Sequence, residues 1–366
     1  MADKRLRIVD LTIESVAFGG KGVARDHGKT VFVPLTIDGE TVAAGIVREK
    51  KQFSEAEVIE VKQSSSFRVH PGCPYFGRCG GCAYQHIDYE HQLAIKWQQV
   101  RDVLRRIGKF QNAPMCPIVP SPEFYGYRNR ITVHVENGTI GYFRRDSHRL
   151  IDVDRCPIAM DEVNRELANL RSRQPRDGHY TLRAGPGPRI FSQTNNAVAE
   201  ALRDLIVQSV PDDQELLIDA YCGAGFFAKA LRDKFQRIIG IDWDRFAIAE
   251  AGKDAMPKET YIAGEIEAEL ASPNLTALSR QVSKSKIALI VDPPSTGLSA
   301  KIRELIVGYA PEIFVYVSCN PATLARDLKE LQSRFKIERV TPLDMFPQTA
   351  EIEVVAQLRR CDDSTN

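Results

Sequence analysis

From about residue 185 onward the chain alternates short apolar runs with amphipathic stretches, and that rhythm leaves few folds open. Strand-like runs at 216–219, 237–241, 287–291 and 313–317 alternate with helix-like stretches at 197–210, 226–234, 245–253 and 301–309. The expected architecture is α/β, a doubly wound, Rossmann-like parallel sheet. Ligands of such sheets bind outside the carboxyl ends of the strands. Those ends carry Asp219-Ala220-Tyr221-Cys222-Gly223-Ala224-Gly225, then Asp242, then Asp292-Pro293-Pro294, then Ser318-Cys319-Asn320-Pro321.

Each strand end admits a chemical reading and a plain one. Cys319 stands between a strand and a helix start, where helix N–H groups favour a thiolate; it can equally be a core filler. The glycine loop lets a ligand approach the backbone. It lacks the third glycine of the dinucleotide fingerprint and any Walker lysine. With Asp242 suited to a ribose diol, it fits S-adenosylmethionine; Asp242 can also be a helix N-cap. Asp292-Pro293-Pro294 either faces a planar ligand or is a turn. Glu353 begins a last strand (354–358) and is either a proton acceptor near the site or an exposed acid.

The first half reads differently. Residues 5–62 hold several short strands with glycine turns, as in a small OB-like β-barrel. Residues 63–184 are irregular, with one helix at 91–107 and strands at 131–135 and 139–143. Cys73, Cys79 and Cys82 form C-x5-C-x2-C among Gly and Pro residues, and Cys156 precedes Pro157. Three close thiolates and a distant fourth can hold a [4Fe–4S] cluster. Structural zinc is the rival, though the spacing offers one C-x2-C pair instead of two. Cys116 and Cys361 show no pattern. From Lys96 to Arg149 ten Lys or Arg residues face four acids, with Phe124, Tyr125, Tyr127, Tyr142 and Phe143 interleaved. That mixture suits RNA phosphates and unpaired bases, or simply a solvated surface. The net charge of +1 points to no partner. No apolar run approaches the roughly 20 residues of a membrane helix. Nor does the N-terminus open like a signal peptide. A cytoplasmic monomer without membrane contact is expected, with a disordered tail at 362–366.

Taken together, the C-x5-C-x2-C motif with its distant Cys, Phe191-Ser192-Gln193-Thr194-Asn195, Asp292-Pro293-Pro294, Ser318-Cys319-Asn320-Pro321 and Asp344-Met345-Phe346-Pro347 resemble the RNA uracil-5 methyltransferases. The likeness is to the subgroup with a TRAM barrel and an iron–sulfur cluster, which includes 23S ribosomal RNA enzymes. It implies a TRAM barrel (5–62), an iron–sulfur central domain (63–184) and a class I methyltransferase domain (185–360). It also implies methylation of uridine carbon 5 in ribosomal RNA, or alternatively in transfer RNA. Cys319 takes the family's nucleophile position and Glu353 its base position. Gln193, Tyr221, Asp242, Asp292 and, less closely, Glu265 take cofactor positions. Five residues depart from the family pattern: Ser295 replaces Arg, Gln348 and Glu351 replace His, Asp242 replaces Glu, and Phe226 stands where a polar contact is common. Glu351 is expected to raise the Glu353 pKa by like-charge repulsion. A non-catalytic RNA-binding or chaperone protein and a cytosine-5 methyltransferase are the other readings. The retained Cys319 and Glu353 disfavour the first. The second lacks its Pro-Cys motif.

Overall fold

The computed structural model describes residues 7–185 and 192–361. Phe191 and the tail at 362–366 lie outside the described residues. The chain divides into two compact units. One comprises Met1–Gln99, Glu123–Pro186 and Phe346–Glu351; the other comprises Val100–Pro122, Gly187–Met345 and Ile352–Asn366.

The first unit begins with strands β1 (Arg7–Thr12), β2 (Ser15–Val16), β3 (Lys21–Asp26), β4 (Lys29–Pro34), β5 (Thr41–Glu49) and β6 (Phe53–Gln63). They pair in the order β1-β5-β6-β4-β3-β2. Alternate side chains, among them Leu11, Ala24, Val31, Val33, Val42 and Ala44, fill one core. Bulges between β5 and β6 bend the sheet around it. The expected closed barrel is not found: β1 and β2 end the order without pairing to each other, and β2 has only two residues to offer. Inside this module Glu40 is fully buried and bonded to Arg68 and to the Ile37 N–H. Burial would raise its pKa, but Arg68 and Ile37 hold it below the usual value.

Helix α1 (Tyr89–Arg106) comes next, and the division between the units falls within it. After it come β7 (Arg130–Glu136), β8 (Thr139–Phe143), β9 (Leu150–Asp152), helix α2 (Asp161–Ser172) and β10 (Gly178–Arg183). The four strands form a sheet in the order β10-β7-β8-β9. Ile131, Val133, Val135, Ile140 and Leu182 on one face pack with Val163 and Leu167 of α2.

The second unit contains α3 (Asn196–Ser209), β11 (Gln214–Ala220), α4 (Phe226–Ala230), β12 (Phe235–Asp242), α5 (Arg245–Gly252), β13 (Glu259–Ala263), α6 (Ile266–Leu270), α7 (Pro273–Gln281), β14 (Ile287–Val291), α8 (Ala300–Tyr309), β15 (Ile313–Ser318), α9 (Pro321–Leu331), β16 (Phe335–Leu343) and β17 (Glu353–Arg360). The sheet order is β13-β12-β11-β14-β15-β17-β16. Every residue of β14 and β15 is buried, as central parallel strands covered on both faces require. β17 is the exception to the parallel expectation: it runs antiparallel between β15 and β16. The connection from β16 to β17 carries no crossover helix, so the chain reverses.

Candidate functional site

The strand order reverses between β11 and β14, the usual ligand crevice of this architecture. At that point the chain leaves β11 through Tyr221, whose φ of 66° is left-handed. Gly223 and Gly225 come next, with φ of 53° and 81°. A Cβ on Gly223 would meet nothing within 4 Å, so the loop backbone borders open space there. Two carboxyls hold this loop. Asp242 accepts the Gly223 N–H at 2.8 Å on one oxygen and the Asp244 N–H at 2.8 Å on the other. Asp244, not Asp242, is the N-cap of α5, which removes the plain reading of Asp242. Asp219 is fully buried, and one of its oxygens accepts the Ala228 N–H of α4 at 2.9 Å. Its other oxygen has no partner among the described residues. Burial, then Asp292 and Asp242, push its pKa up to about 8. Burial and Asp242 likewise raise Asp292 to about 7. Asp219 is not among the expected site residues; its signal is an acid that directly follows the apolar run Leu216-Leu217-Ile218.

The other expected cofactor residues sit more loosely. Tyr221 is half-buried, and burial lifts its phenol to about 12. Glu265 is exposed, just beyond β13, at the start of α6. Gln193 is half-buried ahead of Asn195, which caps α3 and donates to Ser121 at 2.9 Å.

Two thiols lie at the strand ends, and they differ. Cys222 is buried in the glycine loop, and burial, then Asp219 and Asp242, raise its pKa. Cys319 is half-exposed and directly precedes Asn320, which caps α9 by accepting the Ala322 N–H. Asn320 also donates to the Ser295 carbonyl at 3.0 Å, tying the Asp-Pro-Pro loop to the cysteine loop. Glu353 is buried at 4% exposure, contrary to the exposed reading. β15 and β17 pair antiparallel through Val317↔Val355 and Ser318↔Val354. Cys319 directly follows the last paired residue of β15 and Glu353 directly precedes its partner on β17, so thiol and carboxyl belong to neighbouring strand ends. Glu353 pairs with Leu343 of β16, and the next residue, Val354, pairs with Ser318 of β15.

In the first unit, Cys73, Cys79, Cys82 and Cys156 line one cavity of ≈ 500 Å³. Burial raises the Cys79 and Cys156 thiols and pushes Cys82 up to about 12. The Cys156 turn is locked by Asn164, which accepts the Cys156 N–H and donates to the Cys156 and Ala159 carbonyls. Among the described residues no group of three or more His, Cys, Asp or Glu forms a site for a metal ion. Glu351 lies exposed on this cavity. Gln348, at φ of 68°, is buried in an exchange of hydrogen bonds with Gln92. Two residues of the basic and aromatic run are internal. Lys96 is buried and donates to the Phe346 carbonyl at 3.0 Å, and Tyr127 donates to that of Pro347.

Comparison with known proteins agrees with this architecture. The family model described as tRNA (Uracil-5-)-methyltransferase matches residues 275–361, and the TRAM domain model matches residues 4–59. An uncharacterized RNA methyltransferase of Bdellovibrio bacteriovorus is 32% identical over 381 residues, covering 96% of this chain and 95% of that one. One of Aquifex aeolicus is 30% identical over 430 residues, covering 98% and 99%. The Pyrococcus abyssi tRNA (uracil-54, C5)-methyltransferase, solved with S-adenosyl-L-homocysteine, shares the fold with a TM-score of 0.71. That likeness covers 96% of this chain and 100% of that one at 23% identity. Full-length relatives, both domain models and an α/β sheet after a β-rich TRAM module agree: the chain belongs to the TRAM-containing RNA uracil-5-methyltransferase family.

Proposed function

We propose that this enzyme methylates carbon 5 of a specific uridine in RNA, with Cys319 as nucleophile and Glu353 as base. The observation that carries the reading is the β15–β17 register, which brings a buried carboxyl to the strand end that bears a half-exposed thiol. Carbon 5 of uracil is a weak nucleophile. Addition of the Cys319 thiolate to carbon 6 moves the double-bond electrons onto carbon 5 and the conjugated carbonyl. When bound, S-adenosylmethionine supplies an electrophilic methyl group on a sulfonium centre. Glu353 then accepts the carbon 5 proton, the double bond re-forms and Cys319 departs with its electron pair. One methyl group enters and one proton leaves, with no change of redox state. This is covalent catalysis that divides a difficult substitution into easier steps. The target base must leave its stack to reach the thiol.

The residues present suit that cofactor. Tyr221 and the open backbone at Gly223 would border it, and Asp242 and Asp292 would meet its polar groups. Gln193 and Glu265 complete the proposed contact set. Four cysteines around one cavity, whose lining adds one carboxylate, Glu351, and no imidazole, suit a [4Fe–4S] cluster held by Cys73, Cys79, Cys82 and Cys156. The methyl transfer needs no electrons, so the cluster's proposed role is structural.

The chain is read as three modules, 5–62 for RNA binding, 63–184 for the cluster and 185–360 for methyl transfer, acting as a cytoplasmic monomer. The proposed substrate is 23S ribosomal RNA, on the cysteine set. A transfer RNA uridine is the second reading, favoured by the family model's description and the Pyrococcus abyssi enzyme. Ribosomal and transfer RNA from a host lacking this gene should each be incubated with enzyme and cofactor, and their nucleosides measured by mass spectrometry. 5-Methyluridine in the ribosomal fraction alone supports the first substrate, and in the transfer fraction alone the second. 5-Methylcytidine, or no methylation in either, would refute the reaction.

A further inference from the structure

The loop that follows Asp292-Pro293-Pro294 is held by α9, the helix that begins beside Cys319. Asn320, Thr323, Arg326 and Asp327 recur at helical spacing and share one face at the start of α9. Asn320 and Thr323 both donate to the Ser295 carbonyl, at 3.0 and 3.1 Å. Arg326 donates to the Thr296 carbonyl at 2.9 Å, and Arg303 of α8 donates to that of Leu298. Asp327 accepts the Leu298 N–H at 2.8 Å. The loop also closes on itself, with the Gly297 N–H donating to the Pro294 carbonyl at 2.8 Å. All of these residues belong to the second unit.

Asp327 is the centre of this grip. It is fully buried, and both of its oxygens are occupied. One accepts from the Leu298 N–H and from the Tyr316 phenol of β15, each at 2.8 Å. The other accepts from Arg303 at 3.0 Å and from Arg326 at 2.9 Å. A buried carboxylate persists only when paired this completely. The two guanidiniums it fixes turn further N–H groups toward the loop carbonyls. Gly297 shows how closely loop and helix approach. Its φ is 76°, and a Cβ there would stand 2.5 Å from Asp327 Oδ2 and 2.7 Å from Arg326 Nη2. The contacts at Ser295 are to its carbonyl, so they do not depend on which side chain that position carries. Through Tyr316 the same carboxylate reaches β15, the strand that ends beside Cys319.

We propose that Asp327, Arg326 and Arg303 are positioning residues: they hold the loop at 293–298 against α9 and so fix Asp292, on the cofactor side, relative to the Cys319 thiol, on the base side. The proposal rests on the reading of Cys319 as nucleophile and names what aligns it with the methyl donor. Removing the buried Asp327 carboxyl would threaten the fold, so the test acts on Arg326, whose side chain is 44% exposed, and on Gly297. The parent, Arg326→Gln, Arg326→Lys and Gly297→Ala proteins are given cofactor and ribosomal or transfer RNA transcribed with 5-fluorouridine in place of uridine. Fluorine cannot leave carbon 5 as a proton does, so thiolate addition and methyl transfer leave a protein–RNA adduct, followed on a denaturing gel. Rates are compared well below each protein's thermal midpoint, where all are folded. At saturating RNA and cofactor, Arg326→Gln and Gly297→Ala should form the adduct roughly 10- to 100-fold more slowly, the scale of a misplacement of about 1 Å. Their half-saturating concentrations of RNA and cofactor should not change, because alignment acts on the transition state. Arg326→Lys keeps a cation and a donor for the Thr296 carbonyl and should recover part of the rate. Parental rates in Arg326→Gln and Gly297→Ala would overturn the proposal while leaving the nucleophile in place. A loss confined to raised half-saturating concentrations would overturn it as well. If the parent forms no adduct with either RNA, the nucleophile reading and the positioning that rests on it fall together.

Discussion

Replacing Asp219 with Asn should stabilise the second unit, by an amount that grows as pH rises from about 4 to about 8. Asp219 is fully buried at the end of β11, and burial moves its pKa from 3.8 to about 8. The unfolded chain therefore releases this proton near pH 4, whereas the folded chain keeps it to about pH 8. Between those values the folded state binds more protons, so stability falls as pH rises through the window. At about 1.36 kcal/mol per pH unit, the cost grows from near zero at pH 4 to about 4 kcal/mol at pH 7. An Asn side chain keeps the carbonyl that accepts the Ala228 N–H and has no proton to release. Urea midpoints of parent and variant should coincide near pH 4 and separate steadily toward pH 8, the variant higher. Affinity for the cofactor should drop, because a carboxyl retained at such cost beneath the glycine loop serves the ligand crevice. Parallel pH profiles would refute the reasoning, and so would a variant destabilised by the same amount at both ends.

His86 gives the opposite slope. Burial, then Arg68, lower its pKa to about 4, so it contributes stability above pH 6.5 that is lost as pH falls toward 4. The loss should reach roughly 3 kcal/mol, and His86→Phe, placed against Phe76, should abolish that part of the acid sensitivity of the first unit. Arg68→Ala leaves the buried Glu40 carboxylate without its cation and should destabilise the first unit by roughly 3 kcal/mol in chemical denaturation. An unchanged midpoint would show that Glu40 is held by backbone donors alone. Anaerobically purified parent protein should carry about four irons per chain and visible absorbance. Cys82→Ala should lose both, and stoichiometric zinc in place of iron would exclude the cluster.

Parts of this architecture can be read from sequence because burial on both faces leaves a mark. β14 and β15 are unbroken apolar runs, and the segments at their carboxyl ends, Asp292-Pro293-Pro294 and Ser318-Cys319-Asn320-Pro321, are marked by proline. Strand direction leaves no such mark: nothing in Glu353-Val354-Val355-Ala356 says that β17 runs against β15. The burial of Glu353 is likewise decided by β16, which pairs with it, and by β15, which pairs with the residue after it. Lys96 shows the same limit from the other side. Its charge on an amphipathic helix suggests solvent or phosphate, but its partner is the carbonyl of Phe346, 250 residues away. The pairs Arg130↔Arg183 and His134↔His179 become visible only when β7 and β10 meet. β13, α6 and α7 lie in a charged stretch with Pro257 and Pro273, too irregular for periodicity to single them out.

The central claim is the division of labour between Cys319 and Glu353, and one labelling measurement addresses it. Substrate RNA and cofactor carrying an isotopic methyl group are incubated with the parent, Cys319→Ala and Glu353→Gln proteins, and each is run on a denaturing gel. The account predicts turnover without lasting adduct for the parent, and neither product nor adduct for Cys319→Ala. For Glu353→Gln it predicts a labelled protein–RNA adduct that persists, because thiolate addition and methyl transfer proceed while proton removal does not. Methylated uridine from Cys319→Ala would contradict the nucleophile assignment, and normal turnover by Glu353→Gln would contradict the base.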